Sequence, residues 1–280
     1  MAYASQDLKL YYVAEGSYGV TPSPNPAMLG LKGVFDYEDS IDPGRIKLRG
    51  VGSRDWDSLR SGLKQPSMKF GYTVPSSSII DFLGYADTLG SMSMETIYET
   101  SSVIAYLFKG MKINKLTVSL GDLLGDSPVV KASAELLGQS VTVNTAKNST
   151  NYTDQTGSLM FNECYVKKSG VTNTRITDWS FTVENNLKQV PVIRTSSGDL
   201  IKYLQPRQRS LTGELTFEFE SKDEHDEALA ATEFWLEFYL GASHKVQISN
   251  CRWDYVKDSA KLEDLVVVKA TFSGKAMAIS

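Results

Sequence analysis

The dominant pattern along the chain is an alternation of apolar and polar residues, which is typical of β-strands that cover a core with one face. Glycine, proline, aspartate and serine separate the alternating segments and favour turns between them. The chain is therefore predicted to be mainly β. The clearest predicted strands are Met68 to Val74, Ile113 to Leu120, Val129 to Leu137, Leu211 to Phe219, Lys245 to Trp253 and Leu265 to Gly274.

Two segments are predicted to be helical. Ile79 to Tyr85 follows three serines, each able to cap the N-terminus of a helix. Asp223 to Leu240 begins with a cluster of acidic residues, where the helix dipole favours negative charge, and it stops before Gly241. Because its leucines recur at helical spacing, this segment is predicted to form one long helix.

The order of these elements repeats. A strand, a helix, a strand, a turn and a strand follow residue 62 and again follow residue 207, about 140 residues later. We interpret the repeat as a tandem duplication, with chance agreement in a β-rich chain as the alternative. The predicted parts are an N-terminal arm (1–40), a first β domain (41–145) and a second (146–280). Residues 88–102 have no predicted counterpart, and 103–108 are predicted to be an added strand.

Residues 14–67 are rich in glycine and proline and are predicted to be irregular. They form either a flexible tail with surface loops or an arm that becomes ordered against a neighbouring subunit. Arginines that pair with acidic groups and aromatic residues that anchor an interface favour the arm. The candidate assembly residues in this region are Tyr18, Arg45, Arg49, Arg54 and Trp56.

Composition narrows the class of protein. A net charge of −4 and a pI near 5.4 argue against a surface that wraps nucleic acid. Two cysteines are too few for a disulfide framework. The N-terminus does not resemble a signal peptide, and no apolar run approaches the roughly 20 residues of a membrane span. The chain is expected to be made in the cytoplasm without contact with a membrane.

No motif predicts catalysis. The two histidines, His225 and His244, do not have the spacing of a catalytic or metal site. Ser61 to Lys64 matches the S-x-x-K pattern, but the motifs that accompany it in serine enzymes are missing. We therefore predict no catalytic, cofactor-binding or metal-binding residue, and no cofactor.

Three stretches resemble the tail tube proteins of long-tailed bacterial and archaeal viruses. Glu15 to Pro22 is similar to the E-x-x-Y-G-T/V-x-P opening of that family. Trp179 to Leu187 is similar to its strand that ends in Asn-Asn-Leu, which here adds Asn185 and Asn186 to the candidate assembly residues. Leu211 to Phe219 is similar to the strand before the family's single helix. The three stretches occur in the family's order.

This resemblance implies a β-sandwich or barrel-like fold with a flanking helix, here duplicated in tandem. It also implies a structural virion protein, assembled in the host cytoplasm, whose rings stack into the hollow tail tube through which viral DNA passes without specific binding. Its other expected partners are the tail tip or baseplate, tape measure and tail terminator proteins.

With two domains per chain, three copies would form a pseudo-six-fold ring, which we favour over a ring of six copies. Residues 144–157 and the arm are expected to lock or stack rings. The alternative function is a monomeric β-sandwich that binds ligands or acts as an adhesin, and an enzyme ranks third.

Overall fold

The computed structural model describes residue 4 and residues 7–52, 54–75, 79–121, 128–192, 200–259 and 266–280. The prediction of a mainly β chain is confirmed. The elements in chain order are β1 Leu8–Ala14, β2 Met28–Gly30, β3 Val34–Asp42, β4 Ile46–Leu48, β5 Ser58–Arg60, β6 Gln65–Thr73, α1 Ile79–Thr88, β7 Met92–Glu99, β8 Val103–Leu120, β9 Lys131–Leu137, β10 Ser140–Asn144, β11 Tyr152–Asp154, β12 Cys164–Lys168, β13 Val171–Thr172, β14 Ile176–Glu184, β15 Lys188–Val190, β16 Tyr203–Gln205, β17 Ser210–Glu218, α2 Asp223–Leu229, β18 Phe234–Leu240, β19 Lys245–Ser259, β20 Val267–Gly274 and β21 Ala276–Ile279.

A first group of strands forms two sheets that share one long strand. Strands β3, β6, β9 and β8 pair in that order, all antiparallel. β8 is 18 residues long, and its N-terminal part pairs instead with β7 and β10. β1 pairs with the other edge of β7, and α1 connects β6 to β7. The length of β8 thus lets one strand serve both sheets.

A second group repeats this arrangement. Strands β14, β17, β20 and β19 pair in order, and the N-terminal part of β19 pairs with β18 and β21. β12 pairs with β18 as β1 pairs with β7, and α2 connects β17 to β18. The two long strands even carry an irregularity at the same place, at Asn114 in β8 and at Asp254 in β19. The order and pairing of the strands therefore recur about 140 residues later.

The two groups are joined where β8 pairs with β14. This pairing produces one continuous antiparallel sheet in the order β3, β6, β9, β8, β14, β17, β20, β19. Among the described residues, β3 pairs only with β6, and the C-terminal part of β19 pairs only with β20. The sheets are not closed into a barrel. The continuous sheet therefore ends in two open edges.

One hydrophobic core runs through both groups. Under α1, the ring of Phe82 lies 5.0 Å from Tyr12 and 5.4 Å from Tyr72, measured between centroids. In the second group the rings of Phe181 and Phe238 are 4.8 Å apart. Because each such buried side chain contributes on the order of 1.5–3 kcal/mol, the alternating apolar positions account for most of the driving force for this fold.

The predicted helix over Asp223 to Leu240 is wrong in its second half. The helix ends at Leu229, and β18 follows it. Ala231 has φ 51°, a left-handed conformation that cannot continue a right-handed helix. The apolar residues beyond it fit alternation as well as helical spacing, so periodicity alone could not separate the two. β18 is the counterpart of β7. β7 lies within residues 88–102, for which the predicted repeat had no counterpart.

The first predicted helix is confirmed, and it extends to Thr88. Residues 103–108, predicted as an added strand, are the beginning of β8. Much of the predicted arm is built into the body, since Leu10 and Tyr12 of β1 are each 1% exposed. β1 pairs with β7, and its row of apolar side chains covers the core. This position is not that of a free arm. The boundaries at 41–145 and 146–280 stay a prediction.

Candidate assembly surfaces

The two open edges of the long sheet are the first candidate surface. On β3, Ile41 is 39% exposed and its polar neighbours Glu38, Ser40 and Asp42 face solvent. On the C-terminal part of β19, Tyr255 is 59% exposed. An edge strand presents unpaired backbone N–H and C=O groups, which are a template for pairing with another chain.

The same kind of edge is covered inside the chain at the junction of β8 and β14. On the core face, Leu116 lies opposite Val183 and Val118 lies opposite Phe181, all of them buried. On the other face the hydroxyl oxygens of Thr117 and Thr182 are 2.8 Å apart. The junction therefore combines an apolar face with a polar face.

Asn185 and Asn186 lie directly beyond this junction. The buried Asn185 donates from Nδ2 to the carbonyl oxygens of Ala86 at 2.9 Å and Ile113 at 3.0 Å. Asn186 is exposed, has φ 48° and donates from Nδ2 to the carbonyl oxygen of Gln208. Asn185 therefore joins the two groups of strands within one chain, whereas Asn186 bonds within the second group.

Four of the predicted assembly residues lie in or beside a hairpin that extends from the long sheet. β4 and β5 pair with each other and form a separate two-stranded sheet. Arg45, Arg49, Arg54 and Trp56 are all exposed, Trp56 by 53%. The hairpin's other exposed apolar side chains are Ile46, Leu48, Val51 and Leu59. So many exposed apolar groups on one small hairpin are typical of a binding surface, and the role of these residues in assembly stays a prediction.

A second hairpin, which the sequence patterns did not indicate, is formed by β15 and β16. Ile201 beside it is 0% exposed and Leu204 within it is 2% exposed. The side chain of Gln139, in the turn between β9 and β10, donates to the carbonyl oxygen of Ile201 at 2.9 Å. This hairpin is thus docked on the first group of strands. The alternating signal is too short there to be recognised.

Tyr18, the remaining candidate, is packed within the first group. Lys112 Nζ lies 5.4 Å from the centre of its ring. The carboxylate of Glu15, in the same motif, accepts hydrogen bonds from the backbone N–H groups of Gly19 and Gly110, each at 2.8 Å. The motif around Tyr18 therefore fixes a turn against β8.

Residues 144–157, expected to lock rings, are also held by the chain itself. Asn148 donates from its backbone N–H to Glu95 at 2.9 Å, and the Tyr152 hydroxyl donates to Glu95 at 2.8 Å. β11 pairs in parallel with β2. The role of this loop between rings stays a prediction.

Burial raises the pKa of several tyrosines and of both cysteines. Burial, followed by the charge of Asp154, raises the pKa of Tyr11 to about 12. Burial, followed by the charge of Asp81, raises the pKa of Tyr12, whose hydroxyl donates to that carboxylate at 2.8 Å. Burial raises the pKa of Cys164 to about 11 and of Cys251 to about 12. Such thiols stay protonated at neutral pH and do not have the character of a nucleophile.

Within the described ranges, His, Cys, Asp and Glu side chains do not group in threes around a possible metal position. His225 Nε2 lies 3.1 Å from Asp258 Oδ1 at the protein surface. No helix in the described part of the chain has the length and apolar character needed to cross a membrane.

Comparisons with known proteins identify the family of this chain. No curated protein matches the sequence. A solved structure similar to this one is a chain in the virion of a native gene transfer agent particle, with 7% identity, a TM-score of 0.35 and coverage of 43% of this chain and 97% of that one. The sequence model of the phage tail tube protein family matches residues 5–276. The chain therefore belongs to the phage tail tube protein family and is a structural protein of the virion.

Proposed function

We propose that copies of this chain close into rings through the two open edges of the long sheet, and that the rings stack into the hollow tail tube. The observation that supports this most is the repeated group of strands with an open edge at each end. Since β8 and β14 already join two equivalent groups, the same contact between copies would continue the sheet with a constant rotation until it closes. Closure removes both exposed edges.

The ring is proposed to contain three copies with pseudo-six-fold symmetry. Each chain supplies two groups of strands in the same order, so three chains supply the six equivalent groups of a six-fold ring. Six copies per ring is the alternative, and it would require the two groups to occupy different environments.

The tube is proposed to guide viral DNA without specific binding. The net charge of −4 is compatible with a lumen along which DNA slides without being held by its phosphates. The work of the protein is structural, with no cofactor and no catalytic step. The ends of the tube would contact the tail tip or baseplate and the tail terminator, and its lumen would contact the tape measure protein. Assembly would take place in the host cytoplasm.

Negative-stain electron microscopy of the purified protein tests this proposal. We expect rings or hollow tubes with three-fold or pseudo-six-fold end views. A protein that stays monomeric at high concentration after prolonged incubation would contradict ring assembly and would favour a monomeric ligand-binding or adhesin domain.

A further inference from the structure

We propose that the contact between neighbouring subunits repeats the contact between the two groups of strands inside one chain. The inference rests on the proposed ring and specifies its interface. β19 of one subunit takes the position of β8, and β3 of its neighbour takes the position of β14. The hairpin that follows β3 then docks on the first subunit as the β15–β16 hairpin docks within the chain.

The register of the new pairing follows from the strands on either side. β8 and β19 both pair with the next strand through the same irregularity, so Leu116 corresponds to Val256 and Thr117 to Lys257. β3 and β14 also share an irregularity near their beginnings, and their final residues, Asp42 and Glu184, pair with the first residues of β6 and β17.

Transferring the internal register places Val256 opposite Ile41 of the neighbouring copy, as Leu116 lies opposite Val183. It places Lys257 opposite Ser40 of that copy, as Thr117 lies opposite Thr182. The apolar pair continues the core face of the sheet, and the polar pair continues its other face. The new junction therefore has the same two faces as the internal one.

Charges on the polar face are complementary in this register. Because side chains two residues apart share a face, Glu38 and Asp42 of the neighbour lie diagonally on either side of Lys257. One pair on the core face is of like charge, Asp258 with Asp39 of the neighbour. His225 Nε2 lies 3.1 Å from Asp258 Oδ1 and is the chain's own polar group beside this pair.

The two hairpins occupy equivalent positions. β4 begins four residues after β3 ends, and β15 begins four residues after β14 ends. β5 ends five residues before β6 begins, and β16 ends five residues before β17 begins. Counting back from the end of each hairpin, Leu59 corresponds to Leu204 and Trp56 to Ile201.

Burial of these equivalent residues is opposite. Trp56 and Leu59 are 53% and 56% exposed, whereas Ile201 and Leu204 are 0% and 2% exposed. The second hairpin has the first group of strands to dock on, and the first hairpin lacks a corresponding group within its own chain. A second copy of the chain supplies that group.

The docking position on that copy can be identified. Gln139, which binds the carbonyl of Ile201, has its backbone N–H bonded to the carbonyl of Lys109 at 2.9 Å. Lys275 occupies the same turn in the second group, with its backbone N–H bonded to the carbonyl of Ser249 at 3.0 Å. Trp56 of the neighbour is therefore placed against the turn between β20 and β21.

Arg45 gains a partner in the same way. Inside the chain, the backbone N–H of Leu187 donates to Asn114 Oδ1 at 2.8 Å. By the count from β3, Arg45 of the neighbour corresponds to Leu187, and Asp254 corresponds to Asn114. The interface between copies thus brings the backbone N–H of Arg45 to the carboxylate of Asp254, and a charged acceptor strengthens this hydrogen bond relative to its internal version.

A disulfide across the two edges tests the interface. The variant Ser40→Cys/Lys257→Cys places thiols on directly opposite residues, both of them exposed in one chain. Thr117→Cys/Thr182→Cys is the matched internal control, because the hydroxyl oxygens there are 2.8 Å apart. Ser40→Cys/Ser259→Cys is the off-register control, and the single-cysteine variants control for Cys164 and Cys251.

After assembly and oxidation, a non-reducing gel should show linked copies of Ser40→Cys/Lys257→Cys, with a ladder that ends at three copies for a trimeric ring. We expect about tenfold more linked product than from the off-register pair, since a disulfide needs close Cα atoms. Rings without this preferential link would overturn the interface and leave ring assembly standing. Absence of rings from the wild type, seen by microscopy, would instead refute the proposed function.

A charge reversal gives a second test that does not depend on thiols. Lys257→Glu places a third acidic group between Glu38 and Asp42 of the neighbour, and it should raise the protein concentration needed for assembly by about fivefold. Adding Asp42→Lys to that variant should restore assembly. Unchanged assembly of the Lys257→Glu variant would overturn the proposed register.

Discussion

The two hairpins of this chain have the same position in the repeat and opposite surroundings. Ile201 and Leu204 of the second hairpin are buried against the first group of strands, while Trp56 and Leu59 of the first remain exposed. Because the two hairpins have equivalent positions but different burial, their surroundings differ and not their place in the repeat. The second completes the fold of one chain, and we propose that a second copy covers the exposed apolar surface of the first.

The largest expected effect comes from substituting the equivalent residues Trp56 and Ile201, one of which should affect tube assembly and the other the stability of the chain. Trp56→Ala should change the free energy of unfolding by less than about 0.5 kcal/mol, because the side chain is already exposed. It should nevertheless prevent tube formation, as loss of a central tryptophan commonly costs an interface about 2–4 kcal/mol. Ile201→Ala should destabilise the chain itself by about 2–5 kcal/mol.

Urea unfolding of the unassembled protein measures the first quantity, and light scattering with microscopy measures the second. A Trp56→Ala variant as unstable as Ile201→Ala would show that the first hairpin belongs to the fold of one chain. Normal tubes from Trp56→Ala would remove this hairpin from the interface.

Most of the strands could be predicted because one face of each covers the core, so alternation is strong, as in β9 and β17. The limits of α2 could not, because Leu236 and Leu240, four residues apart, fit either period and the turn depends on the backbone of Ala231. The second hairpin was missed because only three residues of each strand pair, too few for a periodic signal. The contacts of Asn185 are tertiary, and a motif alone could indicate only that the residue matters.

The two helices are held against the sheet by different contacts. Substitutions in these contacts should give the next largest change in the free energy of unfolding. α1 packs through apolar side chains such as Phe82, whereas Glu224 of α2 is 1% exposed and bonds to Arg175 Nη2 at 2.6 Å. Glu224→Ala should cost about 3 kcal/mol in the free energy of unfolding, the lower end for a broken buried ion pair, because the guanidinium keeps only a longer contact of 3.8 Å with the exposed Glu220. Replacing both partners, as Arg175→Met/Glu224→Leu, should recover most of that loss and make α2 dock as α1 does. Thermal unfolding of the three proteins checks this, and a double variant no more stable than Glu224→Ala would contradict it.

Asn185 distinguishes the internal junction from the proposed one between copies, because Pro43 stands at its equivalent position and cannot supply an amide. Asn185→Ala leaves the carbonyls of Ala86 and Ile113 without this donor, so it should cost about 1–3 kcal/mol. Asn186→Gly is the matched control and should change stability by less than about 0.5 kcal/mol, since glycine accepts the φ of 48°. Urea unfolding measures both. Equal effects would show that the buried amide does not hold the two groups together.

The smallest expected effect concerns Glu233, which holds the proposed docking turn. Hydrogen bonds from Asn250 and Lys275, and the charges of Lys275 and Arg252, lower the pKa of Glu233 to about 2. A lowered pKa means that the carboxylate stabilises the folded chain above its ordinary pKa of 4.5, and that this contribution is lost as the pH falls through about 2. Glu233→Gln removes the charge, so the melting temperature of the wild type should fall more steeply than that of the variant between these pH values. Parallel melting curves would show that the exposed carboxylate is screened by solvent.

At neutral pH the Glu233→Gln variant frees Lys275 from an ion pair while leaving its backbone in place. Tube assembly by Glu233→Gln therefore tests whether the turn must be charged or only correctly shaped, and unchanged assembly is the expected result because Gln139 serves the internal hairpin without a charge.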